Sequence, residues 1–453
     1  MLTRICLGLA LMWVAPLWSQ VGSIPFEMPA TSAGEPQMMT PPPVSGEAYP
    51  TTVGSDMRSN YLSAGLIFNT AYDDNVLAGS GSTPVGDFIY TISPKISLNQ
   101  TTVRQRLALT YSPGFTFYQP TTTLDITGQN AAVNYQYRLS EHTIISLSDS
   151  FQKSSNALDQ LYPSSGGGGI SGSSQPPPVG VVAPYADMLN NTAYVGLSYQ
   201  FSRNGMIGVS GNAWLNNYPD PAEASGLYNS NSLGGSIFYN HRLSNTQYAG
   251  VTYQYLKSQS NPATIQPNPG IAQTDTRTNA LLAFYTIYLN PTFSLSLSVG
   301  PQHFDISQSP SQSFDSWSPS VTASIGWQSS HTNVVAGYSR SVSGALGLPG
   351  AFNSNSANAS VHWQLARAWT LGAAGSFSNS TNVTPFFTTS NQGGRTASGS
   401  ISVQHWLSEH LEVAVGYDRL YQSYTDIAVI SADPDSNRGF VSLSYQLKRP
   451  LGR

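Results

Sequence analysis

The sequence predicts an all-β protein: a transmembrane, antiparallel, up-and-down β-barrel of about 18 strands, or about 16 on a lower count. Three observations carry this. The first is alternation. In the stretch Asn130 to Asp149, Ala131, Val133, Tyr135, Tyr137 and Leu139 share one face. Asn130, Asn134, Gln136 and Arg138 share the other. Ser140 to His142 reverses the chain, and Ile145 and Leu147 resume the apolar face. A period of two with one apolar and one polar side is a β-strand. The second is that short and long connections alternate along the whole chain, as in barrels with short periplasmic turns and long external loops. The third is composition. Only 9% of residues are charged, against roughly 25% in soluble domains. Yet mean hydropathy is −0.18, and no apolar run beyond the N-terminus is long enough for a transmembrane helix. Ser, Asn, Thr, Gln and Gly fill the gap, with 25 Tyr and 8 Trp, which suits a lipid face around a wet lumen.

In chain order, residues 1–20 read as a secretory signal. Arg4 gives the positive start, Ile5 to Val14 the apolar run, and Ser19 a small residue before cleavage. Cys6, the single cysteine, lies inside it, so the mature chain is expected to lack thiols and disulfides. Residues 21–58 form a Pro-rich leader, with Pro25, Pro29, Pro36, Pro41 to Pro43 and Pro50 and no periodicity. The barrel takes 59–453. Its first strand spans about Asn60 to Tyr72. Hairpins follow: Asp87 to Leu98 with Val103 to Tyr118, Leu124 to Leu139 with Thr143 to Phe151, and Thr192 to Phe201 with Met206 to Trp214. The last of these turns on Asn204-Gly205, a strong hairpin signal. Ser232 to Leu243 pairs with Tyr248 to Leu256, Arg277 to Leu289 with Thr292 to Val299, and Trp317 to Gln328 with Asn333 to Val342. Ser356 to Leu365 pairs with Trp369 to Phe377, and Thr396 to Leu407 with Leu411 to Tyr421. Arg438 to Leu447 closes the set. Pro94, Pro113 and Pro319 fall inside strands, where each removes a ladder hydrogen bond; either bulges absorb them or the strand boundaries lie elsewhere.

Aromatic residues gather at both strand ends. Tyr135, Tyr137, Tyr199, Tyr288, Trp327, Trp369 and Tyr445 lie near short turns or the C-terminus. Phe68, Tyr72, Tyr118, Tyr218, Phe304, Tyr338, Phe377 and Tyr421 lie near long loops. Two bands are what girdles at two membrane interfaces give.

The order Tyr72-Asp73-Asp74-Asn75-Val76, then Asp87-Phe88-Ile89-Tyr90, then Ser93-Pro94 resembles the opening of the β-barrel porin 2 type of outer-membrane proteins. The likeness is specific over about Tyr61 to Tyr118 and general beyond. It implies an outer-membrane barrel, in a group sometimes associated with exopolysaccharide synthesis, and brings no catalytic residues. The chain does not end on the terminal aromatic common in such barrels. Recognition by the barrel-assembly machinery is therefore expected through Val441, Leu443 and Tyr445.

No catalytic constellation is visible. Of seven His, only His303 has a near acid on the loop side, Asp305, and a hydrolase needs base, acid and nucleophile to converge. Asp73-Asp74-Asn75 offers oxygen ligands, but neighbours on an extended chain point alternately. Gly166 to Gly169 runs into Pro176 to Pro178, unlike a phosphate-binding loop. No enzyme activity, metal or cofactor is expected.

The expected function is a diffusion channel for small hydrophilic solutes, because 16–18 strands leave an aqueous lumen. The alternatives are a component of exopolysaccharide export and a surface adhesin. Expected partners are the bilayer, lipopolysaccharide and the assembly machinery. A net charge of −4 argues against nucleic acid. Oligomeric state stays open. The expected lumen and rim charges are Arg104, Arg106, Arg138 and Arg242 toward the short turns, and Asp149, Asp275 and Asp418 toward the loops. That polarity predicts an outer mouth attracting cations and an inner mouth attracting anions. The longest loop, Ala157 to Asp187, either stands outside the barrel or folds into it to narrow the pore.

Overall fold

A computed structural model describes residues 60–77, 84–102, 104–119, 121–155, 186–221, 224, 227–263, 273–290, 292–308, 312–329, 331–344, 350–383, 393–424 and 435–450. The expected signal and leader and most of the 157–187 loop lie outside the described residues. Eighteen strands follow one another: β1 (Tyr61–Asp73), β2 (Asp87–Thr101), β3 (Gln105–Gln119), β4 (Ile126–Arg138), β5 (Thr143–Ser154), β6 (Met188–Gln200), β7 (Gly205–Asn217), β8 (Tyr228–Arg242), β9 (Gln247–Pro262), β10 (Thr274–Asn290), β11 (Phe293–Gln308), β12 (Gln312–Gln328), β13 (Thr332–Gly344), β14 (Ala351–Ala366), β15 (Trp369–Asn382), β16 (Gly393–Trp406), β17 (Leu411–Tyr424) and β18 (Asp435–Pro450). A single 3-10 turn, Thr122–Leu124, is the described helix.

Every strand pairs antiparallel with its sequence neighbours, and β18 closes on β1 from Tyr61–Pro450 to Asp73–Arg438. Closure removes the sheet edge, which is what a backbone in lipid needs. The expected hairpins all form. Strands run from 12 to 17 residues, longer than the roughly 9–11 that cross a bilayer, so the wall projects beyond the membrane.

The alternation places apolar side chains outside. On β17, Val415 is 53% and Tyr417 43% exposed, while Ala414 and Asp418 are 3% and 2% exposed. Large exposed aliphatics recur on β1, β7, β11 and β18. The inner positions are mostly Ser, Thr, Asn and Gln. This is the inside-out pattern of a barrel whose exterior solvent is hydrocarbon.

The prolines act without bulges. Between β2 and β3 the ladder lapses from Ile92–Phe115 to Ile96–Tyr111 and resumes in the same register. The Ser112 hydroxyl donates to the Pro94 carbonyl at 3.2 Å. Pro319 has a larger consequence. β12 pairs with β13 only from Gln328–Asn333 to Val321–Arg340, although both strands run on. Above that level β12 stays with β11, Pro319 lying opposite Pro301. β13 stays with β14 to Gly344–Ala351. The end of the β13–β14 hairpin thus leaves the wall and turns inward.

Candidate functional site

The lumen wall is built from hydroxyl pairs that reach across adjacent strands. Ser63 and Ser97 are 2.7 Å apart, Ser210 and Ser236 2.7 Å, Ser232 and Ser258 2.7 Å, Thr286 and Ser296 2.7 Å, and Ser339 and Ser356 2.6 Å. Each hydroxyl can donate one bond and accept two, so a paired row still offers acceptors to water. Such a wall is polar without being charged.

The inward hairpin crosses this wall. By strand parity Val342, Gly344 and Ala351 belong to the outward face of β13 and β14. They are nevertheless buried, because that face packs on the inner surface of β9–β11. Val342 and Ala351 pack with Phe304 and Ile306 of β11. The Gln302 side chain imitates a strand: its Nε2 donates to the Val342 carbonyl at 2.7 Å and its Oε1 accepts from the Val342 amide at 2.9 Å. Gly344 lies against Ser258 of β9 so closely that a Cβ there would strike the serine side chain. Gly350 holds φ at 100°, a left-handed conformation suited to glycine, as the chain enters β14.

On the hairpin's other side Phe352 points into the lumen. It packs with Ala186 and Met188 at the start of β6, Tyr218 after β7, and Ala224 and Leu227 before β8; Tyr424 of β17 borders the group. Burial pushes the Tyr218 hydroxyl up to about 12, so it stays neutral. The Asn216 amide donates to it at 3.4 Å. A neutral apolar cluster therefore bridges strands on distant sides of the barrel at the loop end. The inward fold lies at the β13–β14 connection, a position with no mark in the strand alternation apart from Pro319.

The expected charges sort unevenly. Arg106, Arg138 and Arg242 stand on inward positions near the short turns, and Arg104 is exposed in its turn. Arg242 donates to Asn245 Oδ1 at 2.6 Å. Lys95 and Glu412, also inward, interact electrostatically across the β18–β1 seam. Asp418 is inward and buried, accepting from Ser400 at 2.5 Å. Asp149 and Asp275 are not in the lumen. Asp149 shares the outward face of Leu147 and Val195 and accepts from Asn191 at 2.7 Å. Asp275 lies between the inward Thr274 and Thr276, on the outer face near the rim. Strand parity decides both cases.

Of the aromatics, Tyr199, Trp327, Trp369 and Tyr445 are exposed on the outer wall, and Tyr135 and Tyr137 stack half-buried on it. Tyr118, Tyr218 and Phe304 instead turn inward into packed clusters, and Tyr288 joins Met206, Phe238 and Tyr248 on the inner face. Inward packing, at the loop end for the first three and at the short-turn end for Tyr288, takes these rings from the expected girdle.

The Asp73-Asp74-Asn75 motif is a clasp on the closing seam. Asp73 pairs with Arg438 at 3.2 Å, both side chains almost fully buried, and accepts from Ser436 at 2.8 Å and the Asn75 amide at 2.9 Å. Asp74 accepts two bonds at 2.8 Å from Asn437. His303 faces outward, 3.5 Å from Asp315 and against the Trp317 ring. Among the described residues no group of three or more metal-ligating side chains converges.

No family model and no curated protein matches the chain. Solved structures match at low identity and with TM-scores below 0.5. The ferric citrate transporter FecA in its unliganded form matches at 11% identity and TM-score 0.41 over 81% of this chain, which spans about 60% of FecA's length. Pseudomonas aeruginosa OpdO matches at 11% and 0.40 over 86% of this chain and 97% of its own. The ferric-catecholate import receptor Fiu from E. coli K12 matches at 11% and 0.42 over 86% and 82%.

Proposed function

We propose that this protein is an outer-membrane, porin-like channel for small hydrophilic solutes, narrowed at its loop end by the β13–β14 hairpin. The observation that supports it is the closed 18-stranded sheet with apolar residues outside and paired hydroxyls inside. A sheet of that size encloses water rather than a solid core. The long loops then face outward and the short turns the periplasm. The apolar outer wall meets lipid, the aromatics at each end sit at the interfaces, and Val441, Leu443 and Tyr445 on the outer face of β18 present an assembly signal. Selectivity is weak, because the lumen wall offers hydroxyls and few free charges. Purified protein in a planar bilayer tests this: stable open steps are expected, and a silent bilayer carrying heat-modifiable, folded protein refutes the channel.

A further inference from the structure

The outward face of β13–β16 carries a polar row toward the long-loop end. Arg340 of β13 stands opposite Asn355, Asn355 opposite Asn379, and Asn379 opposite Arg395 of β16. All four share the outward parity of Tyr338 and Phe377. One pleat nearer the short turns the corresponding row is Tyr338, Ala357, Phe377 and Ala397. Tyr338 and Phe377 are 40% and 48% exposed. Aromatic residues mark the edge of the apolar slab. Two residues further along a strand is ~7 Å, or ~5 Å higher at a barrel tilt near 40°. With Tyr338 and Phe377 at the slab edge, that height corresponds to the headgroup region.

The two arginines lack counter-charges. Among the described residues neither has a carboxylate within ion-pair distance. Arg340 Nε is buried without an acceptor. It sits where β12 departs, Val321–Arg340 being the last rung between those strands. The Tyr338 hydroxyl donates to Asn355 Oδ1 at 3.2 Å, which leaves the Asn355 amide hydrogens directed elsewhere. Two other outward cations at this end are paired, Arg419 with Asp435 at 2.7 Å and Lys153 with Asp187 at 2.7 Å, while Arg277 stands between Asp305 and Lys257.

We propose that Arg340, Asn355, Asn379 and Arg395 bind the phosphate of an anionic lipid headgroup in the leaflet at the long-loop end. Guanidinium forks meet phosphate oxygens bidentately, and the amides between them add neutral donors. The site rests on reading that end as the outer side of the membrane. The lipid's acyl chains lie along the apolar faces of β14 and β15 below the row, which a free phosphate cannot use.

The test uses the full mature protein folded in non-ionic detergent, titrated with diphosphorylated lipid A, with dephosphorylated lipid A and with inorganic phosphate, bound lipid being counted by native mass spectrometry. Wild type is expected to retain the diphosphorylated lipid and to release the other two. R340Q/R395Q is expected to bind at least about ten-fold more weakly, R340K/R395K to fall between, and R277Q to match wild type. Equal retention by R340Q/R395Q, or equal binding of the dephosphorylated lipid, overturns the site. Inorganic phosphate competing at equal concentration overturns its assignment to lipid. Heat-modifiable mobility reports folding, and if R340Q/R395Q fails to fold, R340K/R395K with N355A/N379A decides. Conductance measured on the same preparations tests the channel separately.

Discussion

At the scale of single residues, the seam clasp sets the largest expected effects. Asp73 and Arg438 are buried together, so removing one leaves the other as an uncompensated buried charge. D73N or R438Q should lower barrel stability by about 3–5 kcal/mol, while D73L/R438L should recover part of that loss. Urea unfolding in lipid vesicles, with the gel shift as readout, checks this; additive losses in the double variant refute the pair. The lipid face gives a second contrast. Val415 points outward and Gly416 inward, with the Phe440 ring folded over the glycine. V415R should cost about 2–4 kcal/mol if it lies near the midplane. G416V should cost about 1–3 kcal/mol by overpacking against Phe440, and its effect on the lumen is indirect. Equal, negligible effects of both in the same unfolding assay would show the register to be wrong. Residue-level facing was largely legible. Parity along β17 reads from Leu411 to Asp418 without a structure. Parity along β5 also puts Asp149 with Leu147. Sorting charges by height alone sends it to the lumen, and only sorting by face corrects that.

At the scale of elements, the 18 strands and their turns were legible because each hairpin writes its own alternation and turn signal. The inward hairpin was not. β13 and β14 alternate like their neighbours, and what draws them in is distant in sequence: Ser258, Gln302, Phe304 and Ile306 on one side, Met188 and Tyr218 on the other. Pro319 marks where β12 and β13 can part but not where the free strand goes. The polar seat under the hairpin suits a displaceable contact, since Ser258 and Gln302 can turn to water. G344V should push the hairpin off this seat, because its Cβ would strike Ser258. In a planar bilayer the variant should show a mean single-channel conductance above the wild type's, with heat-modifiable mobility reporting folded protein. A conductance equal to the wild type's would show that the hairpin does not constrict the pore.

At the scale of the whole molecule, the question is whether charge is polarised along the pore. Several acids at the loop end do not act on the lumen: Asp149 and Asp275 are outside, Asp435 is paired with Arg419, and Asp187 with Lys153. A smaller polarity survives inside the wall. Lys95, Arg106, Arg138 and Arg242 occupy the inner face toward the short turns, with Glu412 against them. Toward the loops the inner face carries Asp73, Asp87 and Asp418, with Arg438 among them. The Asp87 carboxylate accepts from the Thr121 amide at 3.0 Å. The acidic group is buried behind packed side chains, whereas Arg106 and Arg138 are only half-buried. The basic end should therefore dominate conduction, drawing anions into the periplasmic mouth. The preference should fade as salt rises, because the Debye length is about 10 Å at 0.1 M and about 3 Å at 1 M. Reversal potentials under a salt gradient test this with each face dilute in turn. Anion preference should be greater when the dilute side bathes the short turns, and R106Q/R138Q should abolish that asymmetry while leaving folded, conducting protein. Identical reversal potentials in both orientations of the wild type would show that the inner basic ring does not act on permeating ions.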